Sequence, residues 1–227
     1  MTFSDREDAG RQLAELLAGY KEESPLVLGL PRGGVPVAYE VATALGAPLD
    51  VWVVRKVGAP DFPEFGVGAV AEGGIVYLNR ESIAEVGASD AEIQKIVREK
   101  TAEVAQRVRL FRGELPAPRL EGRTVILVDD GIATGGTVRA AVQALRVANP
   151  KKIVLAVPVA ASASLEELAP LVDEVVCVQS TPALYAIGAW YEDFHQIPDD
   201  EVVRLLERSR GATVSGRPAE EGPVLTS

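Results

Sequence analysis

The sequence predicts an α/β protein built on a mostly parallel, twisted sheet with helices on both faces. Three observations lead there. Apolar runs at 26–30, 125–128 and 153–159 lack polar alternation, as strands buried on both faces require. Segments with helical spacing at 36–45, 138–147 and 165–171 follow these runs, and the alternation of strand and helix is the signature of parallel crossover units. Glycines and prolines gather at the junctions, where the chain must turn.

Taken in order, 6–19 carries apolar side chains at Ala9, Leu13, Leu16 and Leu17, a short amphipathic helix closed by Gly19. After the first strand and helix, 49–54 reads as a second strand. Apolar stretches 67–71 and 75–78 flank Glu72-Gly73-Gly74, a hairpin with glycines where positive φ is needed. Ile93, Val97, Val104, Val108 and Phe111 recur at helical intervals through a long charged segment ending near Gly113, and Pro116, Pro118 and Gly122 form a connector. A strand at 175–178 and a helix at 199–208 close the pattern. Residues 1–210 read as one domain, with an insertion at about 58–112 that holds the hairpin and the long helix. Residues 211–227 lack periodicity and read as a disordered tail.

Composition narrows the function. The 227 residues suffice for one α/β domain with an appended element. A net charge of −10 disfavours a nucleic-acid partner. The single cysteine, Cys177, sits in an apolar strand, reads as core, and fits a cytoplasmic protein. The N-terminus is polar, so no signal peptide is expected, and no apolar run approaches the ~20 residues of a membrane span, so no membrane partner is expected.

The segment from Thr124 to Thr137 carries the chemistry. Its strand ends in two adjacent carboxylates, Asp129 and Asp130, and a turn of Gly131, Ala133, Thr134, Gly135, Gly136 and Thr137 then opens a helix. Free amides and hydroxyls at a helix N-terminus make an anion cradle. A P-loop would need a lysine in this turn, and a dinucleotide fingerprint would place glycines before a single acid. Paired acids beside a phosphate cradle suit a ligand with neighbouring hydroxyls and a phosphate, such as a ribose 5-phosphate.

The stretch Val125-Ile-Leu-Val-Asp-Asp-Gly-Ile-Ala-Thr-Gly-Gly-Thr137 resembles the PRPP-binding signature of the type I phosphoribosyltransferases over its whole length. The resemblance implies that fold, with the insertion as a hood over the site. It further implies a magnesium-dependent transfer of the 5-phosphoribosyl group of PRPP to a nitrogenous base with release of pyrophosphate. Asp129 and Asp130 then bind the ribose hydroxyls, and Mg²⁺ is held mainly by PRPP with these acids contributing directly or through water. Ala133, Thr134, Gly135, Gly136 and Thr137 hold the 5′-phosphate. The loop of Arg32, Gly33 and Gly34 holds pyrophosphate, with a cis peptide at Pro31–Arg32. A homodimer is compatible with the family. Regulators of the same fold that bind PRPP or a nucleotide without transfer would carry the same residues.

Two further clusters complete the expected site. Arg55 and Lys56 end the second strand and are expected to point at the same crevice as Arg32. Aromatic residues make up only 5% of the chain, yet Tyr185, Trp190, Tyr191 and Phe194 fall close together. With Glu192 and Asp193, the cluster of Tyr185, Trp190 and Tyr191 suits a stacked heterocycle, a purine being favoured, although a packing cluster has the same pattern. His195, the sole histidine, reads as a surface or packing residue. The two acids are expected to serve ligand binding rather than folding.

Overall fold

The computed structural model describes residues 2–215. Its main sheet has five strands, β1 (Leu26–Gly29), β2 (Leu49–Val51), β6 (Thr124–Val128), β7 (Lys152–Ala161) and β8 (Glu174–Thr181), all parallel in the order β2-β1-β6-β7-β8. A smaller antiparallel sheet holds β3 (Val54–Gly58), β4 (Gly66–Ala71) and β5 (Val76–Leu78). The helices are α1 (Arg6–Leu16), α2 (Gly34–Leu45), α3 (Arg80–Glu85), α4 (Asp90–Arg112), α5 (Gly136–Val147), α6 (Ser162–Leu168) and α7 (Asp199–Ser215).

Alternation along the buried strands divides the interior in two. Val27, Ile126 and Val154 face one core with side chains of α1, α2, α4 and α7. Leu26, Leu28, Val125, Leu127, Ile153 and Leu155 face the other, against α5. This is the period-two consequence of a sheet covered on both faces, and it explains why these strands read as continuous apolar runs.

Three expectations change. The second strand does not run through 49–54: β2 ends at Val51, and the chain crosses at Trp52 and Val53 into the second sheet. Trp52 anchors the crossing, with its backbone N–H on the Gly29 carbonyl (3.0 Å) and its indole N–H on the Ala141 carbonyl (3.2 Å). The closing helix continues to Ser215, so 211–215 is helical where a tail was expected, and the rest of that segment lies outside the described residues. Leu16 is 55% exposed and belongs to no core. Cys177 is half-buried, and burial pushes its thiol pKa up, as a core residue should show.

The insertion forms the expected hairpin and long helix. Ser89 caps α4 reciprocally with Glu92, so the helix begins where the sequence supplies a capping box. At its other end Arg112 is buried between Asp50 and Glu72: its Nη2 donates to Asp50 Oδ1 (3.1 Å) and Glu72 Oε1 (3.1 Å), and its Nη1 to Glu72 Oε2. One guanidinium thus ties α4 to β2 and to the hairpin turn. Burial raises the Glu72 pKa while Arg112 opposes it. Arg112→Ala would leave Glu72 as an unpaired buried charge, and a loss of about 3–5 kcal/mol in urea unfolding is expected. Adding Glu72→Gln should recover part of that loss, because the stranded charge is then gone.

Candidate active site

Strands β1 and β6 are parallel neighbours, and the chain leaves them in opposite directions, through α2 to β2 and through α5 to β7. Loops that diverge from adjacent strand ends leave a crevice between them, the usual ligand position in open α/β sheets. The loops here are 30–34 and 129–137.

Close approach locks the two together. The Leu30 N–H donates to the Val128 carbonyl at 2.8 Å. A Cβ on Gly33 would lie 2.0 Å from Asp130 Oδ2, and one on Gly34 would lie 2.7 Å from the Val128 carbonyl oxygen and 2.9 Å from Asp129 Cα. Gly33 has φ −61°, which any residue adopts, so glycine is required there for space. The Pro31–Arg32 peptide is cis, as the resemblance implied. The Gly34 N–H is already used on the Leu30 carbonyl (3.0 Å), which removes it from the expected set of ligand donors.

The paired acids are not equivalent. Arg6 Nε donates to Asp130 Oδ2 (2.8 Å), and both side chains are nearly buried. Arg6 Nη1 also donates to the His195 carbonyl (2.9 Å), and its guanidinium lies 3.9 Å from the Phe194 ring centroid. Asp130 is therefore part of the folding framework as well as of the crevice, contrary to the expectation that both acids serve ligand binding alone. The half-buried Asp129 makes no ion pair among the described residues, and its Oδ1 accepts from the Asp130 N–H (3.0 Å). Burial drives the Asp129 pKa well above its ordinary 3.8, and the Asp130 charge adds to the rise. Asp130 is also raised by burial, against the opposing charge of Arg6.

Sequence reasoning missed Arg6. Its signal is its position: Arg6 shares a helical stripe with Ala9, Leu13 and Leu17, all buried. A charge on an apolar stripe needs a buried partner.

The loop expected to hold the 5′-phosphate runs from the end of β6 to the start of α5. Ile132 bridges to β7, its N–H on the Val159 carbonyl (2.9 Å) and its carbonyl accepting from Ala161 N–H (2.8 Å). Ser164 Oγ donates to the Ala133 carbonyl (2.6 Å). Gly135 takes φ 72°, in the left-handed region that favours glycine, and is the N-cap of α5. Among the described residues the amides of Ala133, Thr134, Gly135, Gly136 and Thr137 donate to no protein acceptor, and Thr134 and Thr137 are exposed. These donors at a helix N-terminus can hold an anion.

The cations divide. Arg32 Nη1 lies 3.9 Å from Asp199 Oδ1. Arg55 and Lys56 do not share a direction, because successive strand residues point to opposite faces. Arg55 turns to α4 and Glu103 (3.3 Å), whereas Lys56 bonds Glu64 (3.2 Å) and lines a cleft of about 560 Å³ with Tyr77, Asn79, Thr134, Gly136 and Arg139. Lys56 thereby faces the phosphate loop, and Arg55 does not.

The aromatic cluster is chiefly packing. Tyr191 is 6% exposed, with the Phe3 ring centroid at 5.4 Å and that of Phe194 at 5.0 Å, and its hydroxyl donates to the Asp130 carbonyl (2.6 Å). Its ring is covered and cannot stack on a heterocycle as expected. Trp190 is half-buried beside it; Tyr185, Glu192 and Asp193 are exposed, and Asp193 Oδ1 lies 3.0 Å from His195 Nδ1.

Two outcomes follow from this geometry. Gly33→Ala must displace Asp130 or the loop, and a stability loss of about 1–3 kcal/mol is expected by thermal unfolding. Asp129→Asn should instead raise the melting temperature by a few degrees at neutral pH. The native Asp129 holds its proton more tightly than the unfolded chain does, so stability falls as pH rises from the ordinary carboxyl range through the native pKa. The gain from Asn should accordingly vanish in acid; a pH-independent difference between variant and parent would contradict it.

Comparison with known proteins agrees with this architecture. A family model described as a phosphoribosyl transferase domain matches residues 5–186. Two proteins of Mycobacterium tuberculosis (strains CDC 1551 / Oshkosh and ATCC 25618 / H37Rv), each named "Putative phosphoribosyl transferase", are 47% identical over 208 residues, 91% of this chain. The chain spans about half the length of these relatives, 47% of each. A crystal structure of TT1426 from Thermus thermophilus superposes with a TM-score of 0.86 at 42% identity, over 92% of this chain and 99% of that one. With the parallel strand order and the paired acids before a Gly/Thr turn, these matches assign the chain to the phosphoribosyl transferase domain family.

Proposed function

We propose that the protein transfers the 5-phosphoribosyl group of PRPP to a nitrogen acceptor and releases pyrophosphate. The observation that carries this reading is the set of unspent amides at 133–137, beside Asp129 and across the crevice from Arg32. The loop amides and the hydroxyls of Thr134 and Thr137 would hold the 5′-phosphate, with Lys56 on the same cleft wall. Asp129 would accept from the ribose hydroxyls. Asp130, held by Arg6, would keep the acidic strand end in register with the 30–34 loop.

In the transfer, the acceptor nitrogen forms a bond to the anomeric carbon as the bond to the pyrophosphate oxygen breaks. Pyrophosphate leaves with the bonding electrons, and the nitrogen loses its proton to solvent. The transition state resembles an oxocarbenium ion, so little covalent work falls to the protein: it positions the ligand, stabilises the leaving charge and excludes water. An unpaired, half-buried carboxylate at Asp129 fits a divalent cation carried in by the substrate, directly or through water. Mg²⁺ carried in with PRPP would supply charge neutralisation of the leaving group, with Asp129 as the residue that would help hold it. Of the aromatic cluster, Trp190 and Tyr185 are the residues left to meet an acceptor base, with a purine as the first candidate. The single cysteine fits a cytoplasmic setting.

A second reading is a regulator that binds PRPP without transfer. It is favoured by one feature: Asp130 Oδ2 is engaged by Arg6, so only one acid of the pair is free. Incubation with PRPP, Mg²⁺ and a panel of purines and pyrimidines separates the two. Transfer is expected as acceptor-dependent pyrophosphate release that stops on chelation with EDTA. Binding of PRPP by calorimetry with no release under any acceptor would make the protein a regulator, and no binding at all would reject both.

A further inference from the structure

We propose that Arg107, on the hood helix α4, is a second guanidinium for the diphosphate end of PRPP, and that Asp199 holds it and Arg32 ready until that ligand arrives. The proposal rests on the PRPP reading above. Its basis is a shared carboxylate. Arg107 Nη1 donates to Asp199 Oδ1 (2.8 Å) and Oδ2 (2.9 Å), and Arg32 Nη1 lies 3.9 Å from the same Oδ1. The loop after β1, the C-terminal third of α4 and the first turn of α7 thus meet at one anion.

The neighbours of Arg107 reinforce this. Lys100, Glu103 and Arg107 are spaced so that they share one face of α4. Glu103 takes Lys100 (2.7 Å) and Arg55 from β3 (3.3 Å). Arg32, Arg55, Lys100 and Arg107 therefore surround two carboxylates, Glu103 and Asp199, which leaves a local excess of positive charge in a chain of net −10. Each of the four cations is about one-third exposed. Ion pairs this open to water contribute little to stability, roughly 0–1 kcal/mol, so folding alone gives no strong reason to gather them. A diphosphate carries more charge than a carboxylate and offers oxygens that match the guanidinium fork, so it competes well for both arginines. In the free protein Asp199 keeps the two like charges from repelling one another.

The test uses the full chain and calorimetry with three probes: PRPP, inorganic pyrophosphate, each with Mg²⁺, and ribose 5-phosphate, which lacks a diphosphate. Arg107→Gln is expected to weaken PRPP and pyrophosphate by about ten-fold or more and to leave ribose 5-phosphate unchanged. Asp199→Asn is expected to tighten pyrophosphate, because it removes the competing anion. The opposite signs are the signature, since a purely structural ion pair would make both variants fail alike. Arg107→Lys, which keeps the charge and loses the fork, should fall between parent and Gln, and it carries the test if the Gln variant does not fold. Pyrophosphate binding unchanged in Arg107→Gln, or weakened equally in both variants together with ribose 5-phosphate, would overturn the role of Arg107 while leaving the PRPP reading intact. A parent protein that binds none of the three would remove that reading, and this proposal with it.

Discussion

The approach of the loop at 30–34 to the strand end at 128–130 leaves no room for a side chain on either glycine. A Cβ on Gly33 would enter the Asp130 carboxylate, and one on Gly34 would meet the Val128 carbonyl and the Asp129 backbone. This contact sets the width of the crevice. It fixes where Arg32 leaves the loop, where the two acids stand, and how the turn at 131–135 can reach the N-terminus of α5. The parallel pairing of β1 with β6 delivers both loops to the same edge, and the glycines turn adjacency into contact.

Charge is distributed across that contact with a clear asymmetry. Asp130 receives Arg6 from near the start of the sequence, and the Tyr191 hydroxyl donates to the Asp130 carbonyl. Asp129 receives no cation of its own among the described residues and sits in a region that disfavours its ionised form. Its ionised form is the one its surroundings disfavour, so a cation or hydrogen-bond donor placed beside it would favour that form. The satellite core of Phe3, Ala9, Val159 and Tyr191, with Phe194 packed on it, supports this arrangement by holding Arg6 and the 191–195 segment together.

The segment holding the hairpin and α4 is joined to the core by charged contacts of two kinds. Arg112 is buried with Glu72 and Asp50, so it acts as a permanent fastening between α4, β2 and the hairpin. On the other side of the same helix Arg107 pairs with Asp199 and Glu103 with Arg55, and both pairs are partly exposed. Burial decides the difference: a desolvated pair cannot exchange partners without stranding a charge, whereas one open to water can. One helix thereby combines a rigid attachment with side chains free to respond to an anion.

The sequence by itself determined the helices on both faces of a mostly parallel sheet, the strands and helices flanking the crevice, the hairpin and long helix at 58–112, and the Gly/Thr turn that opens α5. Each of these is written in local composition and spacing: apolar runs for doubly buried strands, helical intervals from Ile93 to Phe111, glycines at the turn of the hairpin. Only the tertiary structure decided which partner each charged or aromatic side chain would take. Arg6 with Asp130, Arg107 and Arg32 with Asp199, the separation of Arg55 from Lys56 once β3 joined a second sheet, and the covering of Tyr191 by Phe3 all link residues through packing rather than through sequence proximity. Local periodicity states which face of an element is buried, but not against what. The identity of a distant partner is fixed only when the sheets and helices have closed on one another.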